Sequence, residues 1–435
     1  MLALAAPLVM AELGWMAMGI EDTVMAGPLG PAAIGAGSLG NMVFYPIVIC
    51  GAGMLLGMDT LVAQSFGRGD RADCRRTLVN GLWLGAGLAP PLILALWLLI
   101  PLLGVAGTNP RVLVLFAPFL KALLWGILPL LLYTALRRYL QAIDIVKPIM
   151  FALVSANLVN IAGNYALMYG HWGFRAMGLT GSGYSTSIAR VYLLAVLFVV
   201  VAWHEKVGRR KRLPHSISAF PDLSRIRCML GLGLPAAMQI LAEGGVFGVV
   251  TVFASRLDAA SLAAHGIAVT VVSTTYMVPL GISSAAAVRV GQAAGRKDPR
   301  GVAASGWSAI SLGALFMAAA GVALWTIPRV IVGVITRDAA VLAAGVALLR
   351  IAALFELFDG LQTVATGALR GLGDTRSPML AHLAGYWAVG LPVAWLLCFH
   401  FGWGAPGIWV GLCAALVPIG SALLLVWKRR LDHIR

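Results

Sequence analysis

Negative charge is what this chain has least of: 17 Asp and Glu in 435 residues, against 32 Lys and Arg. Charged residues of both signs make up only 11% of the composition, and 60% is apolar. With a mean hydropathy of +0.90, this excludes an ordinary soluble domain and a disordered chain. Cysteine is scarce too. Its five copies (Cys50, Cys74, Cys228, Cys398, Cys413) have no CxxC spacing and read as small apolar packing residues, not disulfides or a metal site. The seven histidines show no ligand spacing. HExxH, GxSxG and paired catalytic aspartate motifs are missing, which argues against a membrane-embedded enzyme. The period-two pattern of an outer-membrane barrel is also absent. The first apolar segment lacks a basic lead and a convincing cleavage site, so it reads as a helix and not a signal peptide.

What the chain does have is long apolar runs. Roughly 20 residues cross a hydrocarbon core about 30 Å thick, and breaks at Gly, Pro and charge predict twelve spans. Six fall near 3–26, 36–65, 78–104, 113–137, 148–170 and 179–203. Six more fall near 230–255, 262–288, 302–326, 341–369, 378–400 and 405–427. One long polar stretch, 206–227, is expected to link an N-lobe (1–205) to a C-lobe (228–435). Of the 32 basic residues, 24 sit in alternate loops, the linker and the C-terminal tail. The positive-inside rule then puts both termini in the cytoplasm. The net charge of +15 is thus mostly topology, and nucleic acid is not an expected partner.

The halves repeat. At an offset of 228, ALAAPLVM (3–10) aligns with GLGLPAAM (231–238), pairing Pro7 with Pro235 and Met10 with Met238. AQSFGRGD (63–70) aligns with GQAAGRKD (291–298), pairing Gln64, Gly67, Arg68 and Asp70 with Gln292, Gly295, Arg296 and Asp298. An even number of helices per half makes this a parallel six-plus-six repeat, the architecture of transporters that alternate access around a mid-membrane cavity. The expected fold is an all-α polytopic membrane protein: twelve transmembrane helices in two pseudo-symmetric six-helix bundles.

Ten of the 17 acidic residues fall in loops, which leaves Glu12, Glu21, Asp22, Asp59, Glu243, Glu356 and Asp359 in or near spans. A carboxylate at a helix centre costs at least ~2.5–3.5 kcal/mol, so it usually faces the bundle interior and marks an ion or substrate path. Glu356 and Asp359 lie three apart on one helix face, and Glu243 is followed by Gly244 and Gly245. No basic neighbour in sequence neutralises them; a distant ion pair with Arg190 or Arg350 is the structural alternative. Two carboxylates close together share protons or a cation, which suits H⁺ or Na⁺. Asn157, Asn160 and Asn164 recur on one helix face, and Thr186 and Gln64 add polar groups to the first half. Aromatic and methionine side chains suit flat organic cations.

IEDTVMAGPLG, GMDTLVAQSFGRGD, LRRYLQAIDIVKP, NYALMYG, GLGLPAAMQILAEGG and ALRGLGDTRSP together resemble the multidrug and toxic compound extrusion (MATE) family, in its NorM-like bacterial branch. The resemblance runs over essentially the whole chain. It implies a twelve-helix, two-lobed antiporter, monomeric and lipid-embedded, that expels small organic cations and drugs against inward Na⁺ or H⁺ without a cofactor. By motif it implies coupling-cation roles for Asp22, Glu243 and Asp359, with Na⁺ held by Glu243 and Asp359 if sodium is the ion. It implies a helix-bending role for Pro7 and cavity-lining roles for Asn164 and Thr186, to which the polar pattern adds Gln64, Asn157, Asn160 and Glu356 and the aromatic residues add Phe355. Two departures stand out. Phe355 replaces a tyrosine oxygen that NorM-like members can place near the cation, and Met168 replaces a second N-lobe aspartate of another branch. A lipid-linked oligosaccharide flippase of related fold would call for about fourteen helices and a cationic cavity, and a passive channel would not need the duplication.

Overall fold

The computed structural model describes residues 1–105, 110–209 and 220–434. Linker residues 210–219, with Arg210, Lys211 and Arg212, lie outside the described residues, as do Arg435 and the side chains of Arg111 and Arg209. Among the described residues every regular element is helical. The first span is α1 (Leu2–Ala26); the second is α2 (Pro31–Met54) continued by α3 (Gly57–Gly67). The third is α4 (Arg71–Val105). The fourth is a bent pair, α5 (Pro110–Leu124) and α6 (Ile127–Ala142), angled by 44° at Trp125–Gly126. The fifth, α7 (Lys147–Gly163), runs into a π-helical turn at Asn164–Met168, and the sixth is α8 (Leu179–Arg209).

The second set begins with α9 (Leu223–Ser255), α10 (Ala259–Gly295) and α11 (Pro299–Thr326), followed by the short α12 (Pro328–Ile335). Next come α13 (Ala339–Leu372) and a span, Arg376–His400, built from α14 (Arg376–His382), α15 (Leu391–Trp395) and two π-helical segments. The last is α16 (Ala405–Ile434). Eleven described helices are long and apolar enough to cross a membrane, and the bent pair makes twelve, as the apolar runs predict. Helix ends run past those runs: α4 begins at Arg71, and α16 continues to Ile434. Arg and Lys stems can cover apolar surface while their charge reaches water, so the helix outlasts its apolar stretch.

The repeat is visible in the backbone. Asp70 Oδ1 accepts from the Asp73 amide at 2.9 Å, and Asp298 Oδ1 accepts from the Gly301 amide at 2.9 Å. Each aspartate satisfies an orphan donor at the start of the following helix. Just before each, the chain turns through the left-handed region, at Gly69 (φ 77°) and Lys297 (φ 55°).

The chain forms two compact units: Leu13–Ala237, here the N unit, and Met238–Arg435 with Met1–Glu12, here the C unit. Their boundaries fall inside α1 and α9, away from the linker at 206–227. Backbone approach explains why the first turns of α1 belong to the C unit. A Cβ on Gly281 of α10 would lie 2.7 Å from Val9 N, so only glycine permits that packing. Pro7 sits inside α1, which runs on unbroken to Ala26.

Ion pairs knit the basic loops of the N unit. Asp59 is fully buried and meets Arg138 Nη1 at 3.3 Å, while Arg75 Nε meets Glu205 at 2.5 Å. Arg225 pairs with Asp73, and Arg76 with Asp222. Ser224, donating its hydroxyl at 2.7 Å, and then Arg76 hold the Asp222 carboxyl down at about 2.

Candidate functional site

Each unit holds a cluster of carboxylates in its spans, and the two clusters are built differently. In the N unit, Asp22 projects from α1 among donors from α7 and α8. Its Oδ1 accepts from Asn160 Nδ2 at 2.8 Å, Asn164 Nδ2 at 2.8 Å and Ser182 Oγ at 3.3 Å. Its Oδ2 accepts from Thr186 Oγ1 at 3.0 Å. Asn160 and Asn164 are four apart, as are Ser182 and Thr186, so two helices each present one face. Asn160 is held in turn by Ser185, whose hydroxyl donates to its backbone carbonyl at 2.7 Å. All four partners of Asp22 can donate, which is the solvation an ionised, acceptor-only carboxylate needs.

In the C unit, Gln362 of α13 bridges the two predicted acids. Its Nε2 donates to Asp359 Oδ1 at 3.0 Å, one turn back on the same helix, and lies 3.4 Å from Glu243 Oε1 on α9. Glu356, fully buried, accepts from Thr275 Oγ1 of α10 at 2.7 Å. No Lys or Arg forms an ion pair with these three acids among the described residues. His382, fully buried on α14, is a basic side chain beside them. Its Nδ1 faces the Pro378 carbonyl at 2.7 Å and so carries the hydrogen; its Nε2 lies 3.9 Å from Glu243 Oε2 and 3.4 Å from Gln239 Nε2. Gln362 Oε1 and Glu356 Oε2 are buried without a hydrogen-bond partner among the described residues. A set of carboxylate and amide oxygens short of donors can take a proton or a hard cation.

Other expected site residues lie elsewhere. Asn157 does not reach Asp22: its Nδ2 donates to the Gly14 and Leu153 carbonyls at 3.0 and 2.8 Å, tying α7 to α1. Gln64, on α3, is not among the partners of Asp22 either. Phe355 packs edge-on against Phe247 and Trp409, with ring centres 6.2 and 5.7 Å away, and is an aromatic-core residue by contact. Asp59 is an ion-pair residue, and Arg350 is exposed. Gln362, His382, Ser182 and Thr275 join the clusters without having been expected. Ser182 and Gln362 stand one turn from residues that were expected, and that spacing was the available signal.

The comparisons with known proteins agree with one another. The family model MatE matches twice, at residues 7–166 and 235–396, so the two matches start 228 apart. A probable multidrug resistance protein NorM of Mesorhizobium japonicum is 38% identical over 438 residues, covering 99% of this chain and 93% of that protein. The multidrug resistance protein NorM of Burkholderia vietnamiensis is 37% identical, covering 98% and 92%. Among solved structures, a eukaryotic MATE transporter superposes with a TM-score of 0.88 at 18% identity, over 100% of this chain and 97% of that one. A MOP superfamily transporter from Pyrococcus furiosus does so with a TM-score of 0.87 at 16% identity, over 100% and 95%.

Proposed function

Since the chain belongs to the MatE family, as a multidrug efflux transporter of its NorM-like bacterial branch, we propose that it exchanges organic cations for an inward-moving cation at the acids of the C unit. The observation that carries this reading is the Glu243–Gln362–Asp359 bridge: a half-buried and a buried carboxylate share one amide and, among the described residues, lack an ion-pairing Lys or Arg. Such a site is costly when empty and anionic, and a proton or Na⁺ relieves that cost. Cation binding therefore favours whichever conformation closes over the site, and a drug cation that needs the same field favours the other. Antiport follows from that competition. Glu356 adds a third negative charge beside Asp359, and Asp22 gates from the N unit. Pro7 lacks a backbone donor and gives α1 a place to bend. The same proposal sets the protein in the bacterial inner membrane as a lipid-embedded monomer, both termini cytoplasmic, with an N-lobe at 1–205 and a C-lobe at 228–435.

The test is dye efflux from reconstituted vesicles with a Na⁺ gradient or a pH gradient imposed separately. One of the two gradients is expected to drive efflux, and Asp359→Asn with Glu243→Gln to abolish the gradient-driven part. Efflux in that double variant at the wild-type rate under the driving gradient would overturn the mechanism. Equal flux with no gradient at all would point to a passive channel.

A further inference from the structure

The N unit has an apolar groove that the antiport scheme leaves unused. It opens between α4, α6 and α8, holds about 620 Å³, and is lined by aliphatic and aromatic side chains alone. Leu132 and Leu136 of α6 form its back, and Leu136 is only 1% exposed. Trp83 of α4 and Phe198 of α8 flank it, 48% and 60% exposed. Ala86 and Ala195, one on each flank, keep it open where a larger side chain would fill it. The volume falls within the range of small-ligand sites, about 300–1,000 Å³. A lining with so little to donate or accept suits a hydrocarbon chain.

One end of the groove is polar, and the same three helices build it. Arg75 lies one turn before Val79 on α4, and Tyr139 one turn after Leu136 on α6. Glu205 lies two turns after Phe198 on α8. At these spacings each stays on the helix face that lines the groove. The three side chains meet: Tyr139 donates its hydroxyl to Glu205 Oε1 at 2.7 Å, and Arg75 Nε lies 2.5 Å from Glu205 Oε2. This triad closes the groove with a floor and ties α4, α6 and α8 together beneath it.

Around the floor the surplus charge is positive. Arg75 is matched by Glu205, and Arg76 by Asp222. Arg71, one turn before Arg75, and Lys206, beside Glu205, are exposed and belong to neither pair. An apolar slot that ends at exposed basic side chains complements a molecule with a hydrocarbon tail and an anionic head. Trp203, exposed near the same end of α8, is the aromatic residue such an interface favours.

We propose that this groove is a binding site for an anionic phospholipid, one acyl chain lying along α6 and the phosphate held by Lys206 and Arg71. The assignment needs no step of the antiport cycle. Lipid retention tests it, read by native mass spectrometry of the full-length protein released from detergent, with phosphatidylglycerol and phosphatidylcholine as probes. One phosphatidylglycerol is expected to stay bound in preference to phosphatidylcholine. Ala195→Trp fills the groove from an exposed position and should abolish that adduct. Lys206→Gln with Arg71→Gln keeps the slot and should weaken the preference by at least about tenfold. Thermal melting gives a second reading: phosphatidylglycerol should raise the Tm of the wild type and leave that of Ala195→Trp unmoved. Should Ala195→Trp fail to accumulate, Ala86→Trp closes the groove from the opposite flank and carries the same expectations. Equal retention of the two lipids, or a phosphatidylglycerol adduct undiminished in the filled variant, would overturn the assignment. A dimer in place of the lipid adduct would overturn it too, making the groove an interface between copies of the chain.

Discussion

Asp22 and the pair Glu243–Asp359 are carboxylates of one duplicated scaffold, solvated in opposite ways. Asp22 has four donors for its two oxygens, whereas Glu243 and Asp359 divide the single amide of Gln362. A well-solvated anion has little need of a passing cation; a starved one has a strong need. The acids are not copies of one another either. At the repeat offset of 228, Asp22 corresponds to Val250, and Glu243 to Trp15. The two halves therefore repeat the helices and not the charges. In the antiport proposed above, this asymmetry between the two halves would let one load an ion while the other serves the substrate.

The sharpest way to break this contrast is to neutralise the starved pair. Asp359→Asn is expected to lower ion-driven efflux by roughly 10–100-fold, the scale of a lost hydrogen bond to a charged group, measured as initial dye flux in vesicles. Next comes the bridge itself. Gln362→Leu leaves both acids but removes their shared donor, and should change the concentration of coupling cation at half-maximal flux by about tenfold. On the other side of the comparison, Thr186→Val removes one donor in four from Asp22 and should cost only about two- to fivefold in flux. If Thr186→Val proves more damaging than Gln362→Leu, the donor-counting argument fails.

The smallest effect comes from an aspartate outside the spans, a reference for both clusters. The Asp222 carboxyl is lowered from 3.8 to about 2 in the folded protein by Ser224 and Arg76. A depressed value means that its stabilisation is fully present above about 4 and is lost as pH falls toward 2. Asp222→Asn should therefore lower the Tm slightly at neutral pH, with the difference from wild type vanishing as pH falls toward 2.

Much of this was legible in the sequence, and the failures share a cause. Twelve spans, the repeat and the identity of Asp22, Asn160, Asn164, Thr186, Glu243 and Asp359 as clustered polar residues follow from composition and helical spacing. Those signals are local or arithmetic. Partner choice is not, because the bonds to Asp22 join residues 138 to 164 positions apart. Asn157 shares the spacing of Asn160 and Asn164, yet it bonds the Gly14 carbonyl, two turns short of Asp22 along α1. Gln362 and His382 look unremarkable in sequence, since a lone amide or imidazole in an apolar helix carries no motif. Their meaning comes only from the acids that α9 and α13 bring beside them. Phe355 shows the reverse error: its position suggests the cation, and its contacts belong to Phe247 and Trp409.

The paired turns at Gly69 and Lys297 amount to an experiment already run in duplicate. Both copies hold the same left-handed corner ahead of the same capping aspartate, one with glycine and one with a side chain. A lysine there tolerates a backbone state that costs an L-residue roughly 1–2 kcal/mol, and glycine would recover only part of it because it is floppier when unfolded. Carrying glycine from one copy to the other, Lys297→Gly, offers a route to a sturdier protein that leaves every membrane-buried charge where it is.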